Sequence, residues 1–232
     1  MRYDAVFFDL DGTVMDSLQD IVNAINHTMR HFGLPEFPRE QLRPLLGWGV
    51  GPLMQKALPE LTDARRAEIL AFYRPWYAAH ACDVGRPFPG VVEVMARLRA
   101  MGLPVAILSN KPDAALQPIV KAFFAEVSDL AAGELPNVPK KPHPAMLENA
   151  AAALGVPLPR CLYVGDSEVD IDTAKNAHID CVCVSWGFRN REALRAAGAD
   201  IIIDTPDALI PIVTGQGQAD AVHGFPSGLA GL

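Results

Sequence analysis

Residues 5–13 read Ala-Val-Phe-Phe-Asp-Leu-Asp-Gly-Thr, and this stretch decides how the whole chain is interpreted. The apolar run at residues 5–10 predicts a short buried β-strand. Asp9 and Asp11 are two residues apart, so they would project in the same direction if the strand continued. Two like charges this close need a cation between them, and Mg²⁺ with oxygen ligands meets that need. The alternative is an Asp-rich turn that caps the next helix, with Gly12 permitting the turn.

A helical region follows the first strand. Ser17 and Asp20 have the spacing of a capping box, and helical periodicity continues from there to Gly33. Residues 52–58 and 64–79 also have the helical period, and no strand pattern interrupts them. The sequence therefore predicts an all-helical segment directly after the first strand.

Short strands and helices alternate in the rest of the chain, after a linker rich in Gly and Pro at residues 85–90. The strand patterns lie at residues 103–109, 161–164, 181–185 and 201–203. The helical patterns lie at residues 91–100, 114–124, 144–154, 171–177 and 192–197. This alternation predicts an α/β fold, with a Rossmann-like parallel sheet core, helices on both faces and an all-helical cap domain inserted after the first strand.

The expected domain boundaries follow from these patterns. We expect the α/β core to comprise residues 1–14 and 84–214, the helical cap residues 15–83, and a loose C-terminal tail residues 215–232. The cap would sit at the carboxyl end of a strand, where open α/β sheets bind their ligands. It is therefore expected to serve as a lid.

The composition of the 232-residue chain excludes several classes of protein. Half of the residues are apolar and a fifth are charged, which rules out a disordered or fibrous chain. A net charge of −7 argues against a nucleic-acid partner. No apolar run approaches the ~20 residues that cross a bilayer, and the acidic N-terminus is not a secretory signal, so we expect no membrane partner and a cytoplasmic location. The four cysteines lack metal-ligand spacing and are expected to be free, buried thiols.

Polar residues also follow the other predicted strands or precede the helices between them. These residues are Ser109, Asn110, Lys141, Asp166 and Asp170. Each is a weak signal by itself, since turns are commonly polar. Because the carboxyl ends of parallel strands meet at one edge of a sheet, these side chains are expected to meet the acidic pair of the first strand there. Carboxylates, a lysine and a hydroxyl together describe a site for a metal ion and a phosphate.

Four motifs in this order resemble those of the haloacid dehalogenase superfamily of phosphatases, in the subclass with an α-helical cap. The matching segments are residues 7–13, Ser109-Asn110, Lys141 within Lys-Pro-His-Pro, and residues 165–170. Their order and spacing agree over roughly residues 3–213. Within the superfamily, residues 16–35 and 140–144 are most similar to phosphoglycolate phosphatases.

The resemblance implies a mechanism through an aspartyl-phosphate. Asp9 would attack the phosphorus of a phosphate monoester, and Asp11 would protonate the leaving alkoxide and then activate water. Mg²⁺ would be held by Asp9, Asp166 and the backbone carbonyl of Asp11. Asp170 would orient the metal or its waters from a second layer. The residues expected to bind the phosphate or to hydrogen-bond in the loops around it are Thr13, Ser109, Asn110 and Lys141.

The resemblance favours a small phosphorylated metabolite as substrate, with 2-phosphoglycolate first. A sugar phosphatase, a pyrophosphatase and a phosphomutase of the same superfamily stay open, and we expect a monomer or a homodimer. The alternative from another class is a non-catalytic phospho-acceptor module in signalling. Asp11 and the helical insertion argue against such a module, because it needs a long-lived phosphoaspartate and no general acid above it.

The cap residues that would contact substrate are less clear from the sequence. Residues 47–51, Gly-Trp-Gly-Val-Gly, are a candidate loop facing the site, with Trp48 closing over the substrate. The alternative is a helix–helix turn within the cap. Arg43 and Lys56 are candidates to meet a substrate carboxylate, although a solvated face is the more common position for such charges.

Overall fold

Two β-sheets are present in the computed structural model, which describes residues 1–216. In chain order the strands are β1 (Ala5–Phe8), β2 (Met15–Asp16), β3 (Arg86–Pro87), β4 (Val105–Pro112), β5 (Leu130–Glu134), β6 (Cys161–Gly165), β7 (Asp180–Val184) and β8 (Ile201–Ile203). Six strands form the central sheet in the order β5-β4-β1-β6-β7-β8, and all of its neighbours pair in parallel. The strands β2 and β3 form a separate antiparallel pair.

Strand β1 lies at the centre of the sheet, between β4 and β6. Val6 and Phe8 pack into the larger apolar core on one face, whereas Ala5 and Phe7 pack into a smaller core on the other face. This division follows from the two-residue period of a strand. Because helices cover both faces of the parallel sheet, every position of β1 is apolar and buried.

Ten α-helices cover the sheet and build the insertion within the described residues. In chain order they are α1 (Leu18–His31), α2 (Arg39–Leu42), α3 (Val50–Ala57), α4 (Asp63–His80), α5 (Val91–Ala100), α6 (Asp113–Phe123), α7 (Ala145–Leu154), α8 (Glu168–Asn176), α9 (Arg191–Ala196) and α10 (Leu209–Thr214). Helices α5, α6 and α10 pack into the larger core, and α7 packs into the smaller one. The predicted parallel α/β sheet with helices on both faces is therefore confirmed.

The helices α1 to α4 form the predicted helical insertion after β1, and we call them, with their connecting loops, the cap. The chain enters the cap through β2 and leaves it through β3, where Met15 pairs with Pro87 and Asp16 with Arg86. The two crossings therefore lie side by side. The boundaries of the cap at residues 15–83 stay a prediction.

Some elements differ from the expectations. Sequence reasoning did not predict β5, because its Leu-Ala-Ala-Gly-Glu sequence lacks the β-branched and aromatic residues typical of strands. It also missed β2 and β3, which are two residues long each. Helix α8 begins three residues before the predicted helix at 171–177. Most of the predicted tail, residues 217–232, lies outside the described residues.

Two expectations from composition can be compared with the structure. Among the helices of residues 1–216, none combines the length and the apolar character needed to cross a membrane. All four cysteines are free thiols; Cys161 and Cys183 are buried, whereas Cys82 and Cys181 are half-buried.

The predicted capping box at the start of α1 is wrong. Ser17 is the N-cap residue, but its Oγ donates to Asp11 Oδ1 at 2.5 Å and makes no cap bond. The Asp20 carboxylate accepts the backbone N–H groups of Val84, at 2.9 Å, and Gly85, at 2.8 Å. Both side chains therefore make tertiary contacts. Ser17 reaches towards the end of β1, and Asp20 fixes the chain where it returns from the cap.

We expect Asp20→Ala to lower the free energy of unfolding by about 2–3 kcal/mol, because two backbone N–H groups lose a charged acceptor at a buried position. Urea unfolding of the purified variant measures this loss. Asn23→Ala, an exposed change on the same helix, is the control and should stay within about 0.5 kcal/mol of the unaltered protein. Equal stabilities for the two variants would contradict the assigned role of Asp20.

Candidate active site

The carboxyl ends of β1, β4 and β6 meet at the centre of the sheet and carry polar residues. Asp9 follows β1 directly, Ser109 and Asn110 lie near the end of β4, and Asp166 follows β6. All four side chains are buried. Because β1 lies between β4 and β6, the strand order itself brings these residues together, as the sequence predicted.

Lys141 lies at the centre of a buried hydrogen-bonded group. Its Nζ donates to Asp9 Oδ1 at 2.7 Å, to Asp170 Oδ1 at 2.9 Å and to the Tyr163 hydroxyl at 2.8 Å. Burial by itself would lower the pKa of the Lys141 ammonium, but the Asp170 and Asp9 carboxylates outweigh it and raise that pKa. Lys141 is therefore charged, and it neutralises part of the negative charge of the Asp9 and Asp170 carboxylates.

Asp170 organises this group from the first turn of α8. Its Oδ1 accepts from Lys141 and from the Tyr163 hydroxyl, and its Oδ2 accepts from Ser167 Oγ at 2.7 Å and from the backbone N–H groups of Asp166 and Ser167. Ser167 and Asp170 thereby form a capping box. Burial opposes the charge on Asp170, but Lys141 lowers the pKa of its carboxyl. With both oxygens occupied, Asp170 is suited to position its neighbours.

Asp166 is held by two different segments. Its Oδ2 accepts the backbone N–H of Phe188 at 2.6 Å, and its Oδ1 accepts the Thr13 hydroxyl at 3.3 Å. We expected Thr13 to act near the phosphate, whereas its hydroxyl contacts Asp166. Gly12 has φ +91°, and a Cβ at this position would lie 2.4 Å from Asp166 Oδ2, so only glycine fits between this loop and the carboxylate.

The buried carboxylates fit a divalent cation. Oxygen atoms of Asp9, Asp166 and Asp170 all lie within 4.8 Å of one another. Burial raises the pKa of Asp9 to about 7, although Lys141 opposes the rise, and burial also raises the pKa of Asp166. With one ammonium among three carboxylates, two negative charges are left to balance. Oxygen ligands suit Mg²⁺. The Asp11 side chain is outside this group of carboxylates, and a role of its backbone carbonyl as a metal ligand stays a prediction.

The Asp11 side chain makes a second set of contacts. Its Oδ1 accepts from Ser17 Oγ at 2.5 Å and from Lys111 Nζ at 3.0 Å. Lys111 Nζ also contacts the Tyr77 hydroxyl, which α4 of the cap supplies. Asp11 therefore lies where the core and the cap meet.

Asn110 connects three segments of the chain. Its side-chain amide donates to the carbonyl oxygens of Gly47 and Lys141, both at 3.0 Å, and its Oδ1 accepts the backbone N–H of Lys141 at 2.9 Å. The side chain is thus used to position the Lys141 loop against a cap loop. Ser109 Oγ accepts the backbone N–H of Lys111 at 3.2 Å, so its own proton can be donated to a ligand.

A cavity of about 50 Å³ lies between the core and the cap. The core contributes Asp9, Asp11, Ser109, Asn110 and Lys111 to its wall. The cap contributes mainly apolar and aromatic side chains, which are Ile21, Leu46, Val50, Leu53, Tyr73 and Tyr77. Reactive groups therefore line one side of the cavity, and a largely apolar cover lines the other.

Trp48 is tied to the core and does not line this cavity, whose wall includes the flanking Gly47 and Gly49 instead. The indole N–H of Trp48 donates to Glu168 Oε1 at 3.3 Å. Arg189 pairs with the same carboxylate, at 2.8 Å to Oε2. These contacts join the cap loop to the start of α8.

Arg43 and Lys56, the candidates to meet a substrate carboxylate, contact other parts of the protein. Arg43 donates to the backbone carbonyl oxygens of Gly187, at 2.8 Å, and Phe188, at 3.0 Å. Lys56 Nζ lies over the Trp48 ring, 5.4 Å from its centre. Neither side chain lines the cavity.

Three residues of the site were not found by sequence reasoning. Lys111 follows Ser109 by two residues near the end of β4, but the strand pairing is irregular there, so the two-residue period of a strand gave no signal for it. Tyr163 lies in an apolar strand and gave no signal. Arg189 lies in a loop after β7, and its role depends on contacts that only the folded chain makes.

Comparisons with known proteins agree with this arrangement. The family model of haloacid dehalogenase-like hydrolases matches residues 3–178. A relative from Mannheimia succiniciproducens, named phosphoglycolate phosphatase, is 31% identical over 223 residues, which cover 91% of this chain and 99% of the relative. A relative of the same name from Pseudomonas putida is 32% identical over 232 residues, which cover 95% of this chain and 81% of the relative.

A solved structure has the same fold along nearly the whole chain. The crystal structure of a Lactobacillus delbrueckii subsp. bulgaricus protein, provisionally named phosphoglycolate phosphatase, superposes with a TM-score of 0.87 at 33% sequence identity. The superposition covers 92% of this chain and 99% of that protein. With the family match over residues 3–178, which contain all four motifs, the chain belongs to the haloacid dehalogenase-like hydrolases.

Proposed function

We propose that this enzyme hydrolyses the phosphate monoester of a small metabolite, with Mg²⁺ as cofactor and an aspartyl-phosphate as intermediate. The arrangement of Asp9 is the observation that carries the proposal. Among residues 1–216, only Lys141 donates a hydrogen bond to its side chain, and it does so at Oδ1. The other carboxylate oxygen is free to attack, and Asp9 lines the cavity.

The proposed cofactor, Mg²⁺, would supply positive charge to the site. Mg²⁺ would be held by Asp9, Asp166 and the backbone carbonyl of Asp11, and when bound it reduces the repulsion between a carboxylate and a phosphate in a closed site. Thr13 and the Phe188 N–H fix Asp166 for this role, and Asp170 keeps Lys141 in place.

The chain's own residues account for two half-reactions. In the first, Asp9 Oδ2 forms a bond to phosphorus while the ester oxygen leaves and takes a proton from Asp11. In the second, Asp11 accepts a proton from water as that water attacks phosphorus and frees Asp9. Ser109, which lines the cavity, would donate its hydroxyl proton to a phosphate oxygen. Asp11 Oδ1 is fixed by Ser17 and Lys111, which leaves Oδ2 for these transfers.

The size of the cavity supports a small substrate. A volume of about 50 Å³ is room for only about three to five waters at ~10–15 Å³ each. We infer that residues 15–83 act as the lid over a core of residues 1–14 and 84–214. The names of the two relatives make 2-phosphoglycolate the first candidate. Sugar phosphates and pyrophosphate are larger or more highly charged and are ranked below it.

A phosphomutase is less well supported. It needs an acid–base group of the cap next to the phosphorylated aspartate, so that the phosphoryl group is passed to a second alcohol. Among the described residues of the cavity wall, the cap supplies no carboxylate and no imidazole. Its polar groups there are Tyr73 and Tyr77, and burial raises the pKa of both phenols well above the usual value.

Asp9→Asn should abolish turnover, because an amide cannot form the acyl phosphate. The measurement is release of phosphate from 2-phosphoglycolate with Mg²⁺, together with acid quenching of the unaltered enzyme to trap the phosphorylated protein. Asp200→Asn makes the same chemical change at an exposed position and should retain activity. A phosphorylated protein that persists for hours with Mg²⁺ present would favour the signalling module over the hydrolase.

Asp11→Asn should lose more activity with a poor leaving group than with a good one, because only the poor one needs the proton. The general acid contributes about 10²–10⁴-fold to such reactions. The test compares kcat for an alkyl phosphate and for an aryl phosphate in the variant and the unaltered enzyme. Equal losses with the two esters would contradict the acid role of Asp11.

Binding of Mg²⁺ should stabilise the fold without any substrate. At about 100 times the Kd, a ligand that binds only the folded state adds ~2.7 kcal/mol to the free energy of unfolding. For a chain of this size, that corresponds to a rise in Tm of about 5–10 °C. We expect the rise in the unaltered enzyme and in Asp200→Asn, and its loss in Asp166→Asn. A rise of equal size in Asp166→Asn would show that the cation binds elsewhere.

A further inference from the structure

Lys111 is a buried cation that contacts no substrate atom in the proposed hydrolysis. Its side chain is only 1% exposed, and it is the one cation on the cavity wall among the described residues. The other lysine of the site, Lys141, is already shared between Asp9 and Asp170. A buried ammonium is costly unless it is paired, and in this structure Asp11 is the anionic partner of Lys111.

The protein partners of Lys111 do not use all of the hydrogen-bond donors of its ammonium group. An ammonium has three N–H groups. One is directed to Asp11 Oδ1 at 3.0 Å, and one is used in the contact with the Tyr77 hydroxyl. No other residue of the described chain accepts from Lys111 Nζ. The third N–H is therefore available to a molecule in the cavity.

The position of Lys111 relative to Ser109 limits what that molecule is. Both residues lie near the irregular end of β4, and both line the cavity. Ser109 is the proposed phosphate ligand. Because Lys111 contacts Asp11, the proposed acid for the leaving oxygen, an anion held by Lys111 would lie on the leaving-group side of the phosphate.

We infer that Lys111, together with the Tyr77 hydroxyl, binds a carboxylate of the substrate, so that the enzyme selects phosphate esters of short hydroxy acids. This inference rests on the proposed function and names the residues that determine its specificity. Lys111 comes from the core and Tyr77 from the cap. The carboxylate subsite is therefore complete only when the cap covers the core.

A purely structural role is the competing explanation. Lys111 would then serve only to hold Asp11, and its loss would harm every ester equally. A carboxylate subsite instead requires that the loss depend on whether the ester carries a carboxylate. A comparison between 2-phosphoglycolate and ethyl phosphate, which has no carboxylate, separates the two explanations.

The experiment measures kcat/KM for these two esters with Mg²⁺ in the unaltered enzyme and in Lys111→Met. We expect the unaltered enzyme to prefer 2-phosphoglycolate, and Lys111→Met to lower that preference about 10- to 100-fold, the range for one charged hydrogen bond. Tyr77→Phe keeps the ring and should lower the preference by a smaller factor. Lys121→Met removes an exposed lysine and should leave the preference unchanged.

The outcomes are distinguishable from a failure of the proposed function. Equal losses with both esters in Lys111→Met would overturn the subsite and leave Lys111 as a positioning residue for Asp11. Hydrolysis of both esters without preference in the unaltered enzyme would overturn the subsite while the phosphatase proposal stands. If the unaltered enzyme hydrolysed neither these esters nor an aryl phosphate, both proposals would be overturned.

Discussion

The Lys141 ammonium, buried between the Asp9 and Asp170 carboxylates, is the interaction on which the site depends. Removing one partner of such a pair leaves an uncompensated buried charge, at a typical cost of about 3–5 kcal/mol. The fold therefore has to bring the end of β1, the loop before α7 and the first turn of α8 to one point. Because Lys141 occupies Asp9 Oδ1, it also leaves Oδ2 as the oxygen for the proposed attack. The same ion pair thus bears on the stability of the site and on its proposed reactivity.

A single short segment connects the cap to the carboxylates. Arg43 of the cap donates to the carbonyl oxygens of Gly187 and Phe188, and the N–H of Phe188 donates to Asp166. One or two peptide units therefore link the position of the cap to the position of Asp166, one of the three buried carboxylates. Arg189 strengthens this link, since it contacts the Leu46 carbonyl in the cap and Glu168 at the start of α8.

Sequence reasoning identified the features that depend on residues close together in the chain. The strand β1 and the four motifs could be predicted because apolar runs, turn residues and acid spacing are all read within a few positions. The capping box placed at Ser17 and Asp20 was wrong, because tertiary partners compete for the same side chains. A capping box does occur at the start of α8, where Asp170 accepts hydrogen bonds from backbone N–H groups of the helix start and from Lys141. Strand β5 at the sheet edge could not be predicted, since its pairing with β4 rather than its composition makes it a strand.

The contacts between cap and core differ in burial, and this difference assigns them different mechanical roles. At the return from the cap, Asp20 is fully buried and accepts two backbone N–H groups, so this point resists change. The ion pair between Arg74 of α4 and Glu134 of β5 also joins the cap to the core, and it is more exposed: the Arg74 side chain is 43% exposed. Pairs this exposed contribute only about 0–1 kcal/mol each. The cap is therefore held firmly where the chain returns from it to the core, whereas the ion pair of Arg74 adds little to that hold.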